Sequence, residues 1–276
     1  MSAHKLQSVV VEKPWGRWDV PARFGGSSDR RIGEIWFTDA SAPPLPLLVK
    51  YLFTSEKLSI QVHPNDQQAK HVGLSGGKSE CWYVLNAESD ARLGIGLRDH
   101  AVIGDLRKAA LDGSIEELID WKPVRPGSFF YIPAGTIHAI GGGITLVEVQ
   151  QNNDVTYRLF DYGRPRELHL DDGLAVSLPT PYHIREKLVS AKLSERLVER
   201  TQSPFVLDTV ALAKGESFKV STAPAWFIPL EGTGKVDGTD WSAGECWYLD
   251  APCVVSADGD AHFFIAWHPD HGATAQ

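Results

Sequence analysis

With 276 residues, 43% of them hydrophobic, the chain can bury a sizeable core as one large domain or two small ones. A formal net charge of −8 excludes a global attraction to nucleic acid or to anionic membranes, so an anionic ligand has to be captured by local cations. Cys81, Cys246 and Cys253 form no C-x-x-C pair, and there is no apolar leader and no run of about 18 apolar residues, so the expectation is a cytoplasmic protein in a reducing compartment without a membrane span.

Short apolar runs bounded by turn residues, among 25 glycines and 17 prolines, predict an all-β sandwich or barrel. In chain order, LSIQV (58–62) reads as a strand, NDQQAKHV (65–72) as a short helix and CWYVL (81–85) as a strand. Helical periodicity follows in AVIGDLRKAAL (101–111) and SIEELIDW (114–121), where Ser114 and Glu117 have capping-box spacing. Strands then recur at SFFYI (128–132), ITLVEVQ (144–150) and VTYRLF (155–160). Charged, mixed sequence at 183–203 places a boundary near residue 200. A motif-rich domain would span 1–200, with a helical insertion around 99–121. A smaller β domain would span 201–276, with strands at AWFIPL (225–230), CWYL (246–249) and HFFIAW (262–267). A faint repeat aligns Gly127 with Gly244 and sets Val255 where the first copy has His138, so a second copy would not bind a metal in the same way.

Alternation puts Ser59, Gln61 and His63 on one face of their strand, and leaves Glu80 on a face shared with Trp82 and Val84. A buried carboxylate there needs a cation or a hydrogen-bond partner. In GSFFYIPAGTIH, a strand ends in a Pro133-Ala134-Gly135 turn that aims His138 back at the sheet. This segment matches the second motif of the cupin superfamily. His63, Glu80 and His138, with Gln61 nearby, suit zinc, while iron, manganese and nickel accept similar donors.

The stretches KPWGRW (13–18), PLLVKYLFTSEKLSIQVHPND (46–66), GKSECWYVL (77–85), PAGTIHAIG (133–141) and EVQQNNDVTYRLFDYGR (148–164) resemble the type I mannose-6-phosphate isomerases, in particular their short bacterial form. That resemblance implies two cupin-type jelly-roll β-barrels, the second degenerate, and interconversion of mannose 6-phosphate and fructose 6-phosphate. It makes His63, Glu80 and His138 ligands of one Zn2+ per chain, with Gln61 a candidate fourth. Arg158 falls on the catalytic arginine and Lys78 on a pocket lysine. Trp15, Glu34, Ser59, Glu148 and Asp154 fall on pocket-lining positions, and Arg164 stands where some members carry lysine.

Isomerisation through a cis-enediolate needs a base and a stabiliser for the oxyanion. Arginine, with a pKa above about 12, suits the second role and not the first. Glu148 is the candidate base if an apolar setting raises its pKa; the competing reading is a salt bridge to Lys78 or Arg158. Lys78 and Arg164 are candidates to grip the phosphate. His71, His100, His169, His183, His262 and His268 read as surface or core residues. An Fe(II) cupin dioxygenase and a non-catalytic sugar-binding cupin stand as alternatives, and monomer and homodimer both remain open.

Overall fold

Side chains alternate across a β-strand, so a sheet covered on both sides feeds two cores from one set of strands. The computed structural model, which describes residues 2–26, 29–40, 44–184 and 186–269, is built on this rule. Its central sheet has seven strands, ordered Lys187–Leu188, Ser128–Ile132, Glu80–Ala87, Ile144–Gln151, Leu47–Phe53, Ile32–Thr38 and Gln7–Arg17. Cys81, Tyr83, Val147, Val149, Tyr51 and Phe53 leave one face of it. They pack against Leu207, Trp226, Ile228 and Phe264 of a six-stranded sheet. Trp82, Val84, Leu146 and Leu52 leave the other face and meet Leu93, Ile95 and Ile140 of a five-stranded sheet.

The outer face of the five-stranded sheet, with Ile60, Val62, Ala139 and Leu159, is covered by Leu106 and Ala110 of the helix Ile103–Asp112 and by Leu174 of the helix Leu170–Val176. The far face of the six-stranded sheet packs through Phe227, Phe263 and Ile265 onto Val236, Trp241 and Val255 of a four-stranded sheet. The expected barrels are therefore pairs of open sheets packed face to face; among the described residues no sheet closes on itself. The N-terminal strand Ala3–Lys5 pairs with Trp247–Leu249, which ties the start of the chain to the C-terminal sheets. No described helix is long and apolar enough to cross a membrane.

The strand expected at 128–132 forms with those bounds, and that at 58–62 shortens to Ile60–Val62. The helical reading of 114–121 is corrected. Only Ile115–Leu118 is helical, and Ile119–Pro123 becomes a strand because it pairs with Arg92–Leu97. Ser114 gives its hydroxyl to Asp112 at 2.6 Å and caps nothing. A capping box does form at Asn65 and Gln68, opening the helix Asp66–His71. The repeated glycines share a role: Gly127 at φ 91° and Gly244 at φ 92° each precede a strand, and both His138 and Val255 are buried in the strand after it.

His262 belongs to the core between the seven- and six-stranded sheets. Its Nε2 lies 2.7 Å from the Thr209 hydroxyl, its ring meets Tyr83 and Phe264 edge-on, and Nδ1 is buried without a partner. Burial pushes its pKa down from 6.5 to about 4. Between those values the unfolded chain binds the extra proton, so stability falls as the pH drops through that window. His262→Gln should flatten this fall by up to about 3 kcal/mol, read from urea unfolding across the window; an unchanged slope would contradict it.

Candidate metal centre and active-site cavity

The site lies between the seven- and five-stranded sheets because alternation turns a polar row inward from each. The seven-stranded sheet contributes Lys50, Glu80, Glu148 and Gln150, in register as Glu148↔Lys50 and Gln150↔Glu80. The five-stranded sheet contributes Gln61, His138 and Arg158, paired as His138↔Gln61 and Arg158↔Gln61. His63 follows at the end of the same strand row.

His63, Glu80 and His138 each offer a ligand atom, and these atoms all lie within 4.8 Å of one another. Glu80 is 3.6 Å from Nε2 of His63 and 3.3 Å from Nε2 of His138. Each imidazole holds a backbone carbonyl with its other nitrogen: His63 Nδ1 reaches Val155 at 2.9 Å, and His138 Nδ1 reaches Thr136 at 2.8 Å. Nδ1 therefore carries the proton, and the Nε2 lone pairs face one point. The Gln61 amide nitrogen lies 3.3 Å from His138 Nε2 and 3.5 Å from His63 Nε2, and turning the amide by 180° brings its oxygen to that point.

All three residues are 1% exposed, yet both Glu80 oxygens lack a hydrogen-bond partner. Burial, with Glu148 nearby, pushes Glu80 up to about 8, while burial drives His138 down to about 4 and His63 well below its ordinary value. Two neutral imidazoles around an orphaned carboxylate are the donor set of a divalent cation, and the residues fit one.

Beside this centre is a cavity of about 130 Å³ lined by five cations, Lys13, Lys50, Lys78, Arg158 and Arg166, and three carboxylates, Glu34, Glu148 and Asp154. The lining therefore carries an excess of two positive charges in a chain of net charge −8. Trp15, Ser59 and Gln61 line it too, with Leu52, Leu58 and Ile140 as apolar wall. Of the residues singled out in the sequence, the structure brings all but one to the metal centre or this cavity. Arg164 stands outside. It bonds Asp161 at 3.1 Å, Glu56 at 3.2 Å and the Lys57 carbonyl at 2.7 Å.

Glu148 also departs from expectation. It pairs with Lys50 at 3.3 Å, not with Lys78 or Arg158, and accepts the Trp82 indole N–H at 2.9 Å. Burial alone would raise its pKa, but Lys50, Lys78 and Trp82 outweigh it and hold the carboxyl below its ordinary value. Lys50 in turn gives Gln150 a hydrogen bond at 2.6 Å and lies 4.8 Å from the centroid of the Trp36 ring. Trp36 donates its indole N–H to Glu34, which Lys13 approaches at 3.5 Å. Lys78 is buried, 3.5 Å from the Thr156 hydroxyl, and burial beside Lys50 lowers its pKa. Arg158 has its Nε buried without a partner.

Sequence reasoning missed Lys13, Lys50, Thr156 and Arg166. For Lys50 a signal existed: it is the one charge in LLVKYLF, every residue of which is buried. A larger groove of about 800 Å³, at Lys57, Trp121 and Gly141, lacks Gln61, through which the smaller cavity adjoins the metal centre.

His138→Ala should weaken divalent-metal binding at least about 100-fold while the protein stays folded, measured by competition with a chromophoric chelator. Lys50→Met leaves Glu148 buried without its cation and should cost about 3–5 kcal/mol in urea unfolding. A loss below 1 kcal/mol, on the order of an exposed pair, would show that Glu148 does not depend on Lys50.

No protein-family model matches the sequence. The chain is 34% identical over 224 residues to the mannose-6-phosphate isomerase ManA of Bacillus subtilis strain 168, covering 69% of this chain and 70% of the relative. It is 34% identical over 208 residues to the mannose-6-phosphate isomerase of Streptococcus mutans, covering 72% of this chain and 65% of the relative. The fold superposes on the crystal structure of the Bacillus subtilis mannose 6-phosphate isomerase with a TM-score of 0.78 at 24% identity, covering 97% of this chain and all of the other. A variant of the Salmonella typhimurium phosphomannose isomerase gives 0.70 at 15% identity, over 97% of this chain. On identity, coverage and fold together, the chain belongs to the mannose-6-phosphate isomerase family.

Proposed function

We propose that the protein interconverts mannose 6-phosphate and fructose 6-phosphate, with the cavity beside the metal centre as its active site. The observation that carries this reading is the excess of two positive charges on a partly buried lining next to a divalent-cation site. That charge matches a phosphate ester in its dianionic form. A cationic lining of this kind is not what an Fe(II) oxygenase acting on a neutral substrate or a binder of unphosphorylated sugar calls for.

His63, Glu80 and His138, with Gln61 as fourth ligand, would hold the metal, which we read as zinc from the mixed imidazole and carboxylate donors. Bound there, the metal supplies Lewis acidity to the carbonyl and neighbouring hydroxyl oxygens of the open-chain sugar.

The remaining work falls to this chain's side chains. The proton has to move between C1 and C2 through a cis-enediolate. Glu148, kept ionised by Lys50 and fixed by Trp82, presents a carboxylate to accept it. The ammonium of Lys78 and the guanidinium of Arg158 face the same cavity and stabilise the developing oxyanion. Arg158 suits this because no acceptor within the protein occupies its Nε. Trp15, Leu52, Leu58 and Ile140 exclude water from one side, and Ser59, Glu34 and Asp154 offer hydrogen bonds to sugar hydroxyls.

The two packed sheet pairs we read as cupin-type jelly rolls, the catalytic one over 1–200 with its helical insertion around 99–121, and a degenerate copy over 201–276. The matching glycine turns and the exchange of His138 for Val255 support this. Three buried free cysteines fit a cytoplasmic enzyme.

Zinc-loaded protein should form fructose 6-phosphate from mannose 6-phosphate in a coupled assay. Arg158→Ala should lower kcat/KM by roughly 100- to 1,000-fold. Absence of product with the wild-type protein would sink the reading.

A further inference from the structure

The chain reverses immediately after the strand Tyr157–Phe160. Arg164 N–H donates to the Asp161 carbonyl at 3.1 Å, and both central residues of this turn are left-handed, Tyr162 at φ 54° and Gly163 at φ 76°. That is the type I′ pattern, natural for glycine and strained for tyrosine. The turn brings two arginines to one carboxylate. Asp161 is 2% exposed, and Arg166 engages it in a fork, Nε to Oδ2 at 2.6 Å and Nη2 to Oδ1 at 2.6 Å. Arg164 reaches the same Oδ1 from the other side.

Their remaining donors face different surroundings. Arg164 spends the rest of its guanidinium on Glu56 and the Lys57 carbonyl, and lies against the Tyr162 ring. Among the described residues the Arg166 guanidinium bonds Asp161 alone, and it lines the cavity. A guanidinium carries five N–H donors and the fork uses two, so three stay available.

We propose that Arg166, clamped by Asp161, grips the substrate's phosphate ester, and that Arg164 braces the turn from outside. This rests on the isomerase reading above. In a hexose 6-phosphate the phosphate lies at the opposite end of the chain from C1 and C2, so one cation cannot serve both ends. Arg158 is in register with Gln61 and belongs to the metal end. Lys50 is engaged by Glu148, Lys13 stands beside Glu34, and Lys78 is two residues from Glu80. Arg166 is the lining cation whose counter-charge sits outside the lining, which leaves its three remaining N–H donors fixed and oriented for an incoming anion.

The test compares zinc-loaded wild-type, Arg166→Ala and Arg166→Lys proteins. It measures KM and kcat for mannose 6-phosphate, the calorimetric dissociation constant of inorganic phosphate, and bound zinc per chain. Arg166→Ala should raise both KM and the phosphate dissociation constant by roughly 10- to 100-fold, with a smaller change in kcat and no loss of zinc. Arg166→Lys, which keeps charge without the fork, should recover part of the phosphate affinity. If Arg166→Ala lowers kcat or thermal stability but leaves both constants unchanged, the residue is structural and the proposal is overturned. Should Arg166→Ala fail to fold, Arg166→Lys decides alone: phosphate affinity equal to wild type overturns the proposal, and a loss supports it. Wild-type protein that binds phosphate through Arg166 but forms no fructose 6-phosphate would overturn the isomerase reading while leaving the anion site standing.

Discussion

A glutamate with both oxygens buried and unbonded, between two imidazoles whose lone pairs face it, is the constraint around which the rest is arranged. Removing a carboxylate from water costs several kcal/mol unless a cation or donors replace the solvent. Glu80 has no protein donor, and its neighbours His63 and His138 are neutral because burial disfavours their charged forms. A divalent cation resolves this, and the carbonyls of Val155 and Thr136 hold the imidazoles ready for it.

The second buried carboxylate is handled in the opposite way. Glu148 is satisfied within the protein by Lys50 and Trp82, and Lys50 is itself held by Gln150 and Trp36. Two glutamates on adjacent strands of one sheet thus reach different states. One is left for a metal and the other is kept ionised by an ammonium. The sheet stack makes this affordable. With one face of the central sheet committed to Tyr51, Phe53, Tyr83 and Val147, the other can carry charge without breaking the core.

How far the site could be read in advance differs by residue. Gln61, His63, Glu80 and His138 were legible because strand alternation and the Pro133–Gly135 turn are local, and local geometry is written in spacing. Lys50 left a trace as a charge inside LLVKYLF, but its partner comes from another strand, and register across strands is not visible in one sequence. The expectation of a raised pKa at Glu148 failed for the same reason: its electrostatics depend on Lys50, 98 positions away in the chain and directly opposite in the sheet. Arg164 and Arg166 differ by two positions and share Asp161, and only the type I′ turn decides which one enters the cavity.

The sequence by itself determined the β character, most strand positions, the three metal-centre residues and the family, since each rests on periodicity or on short motifs. The tertiary structure decided the rest. Open sheets stand where barrels were expected, Ile119–Pro123 is a strand because a neighbour pairs with it, and the cations of the cavity are divided among specific carboxylates. The physical reason is one of range. Hydrogen-bonding propensity and side-chain alternation act over a few residues, whereas sheet pairing, burial and charge pairing act between segments that meet only after folding.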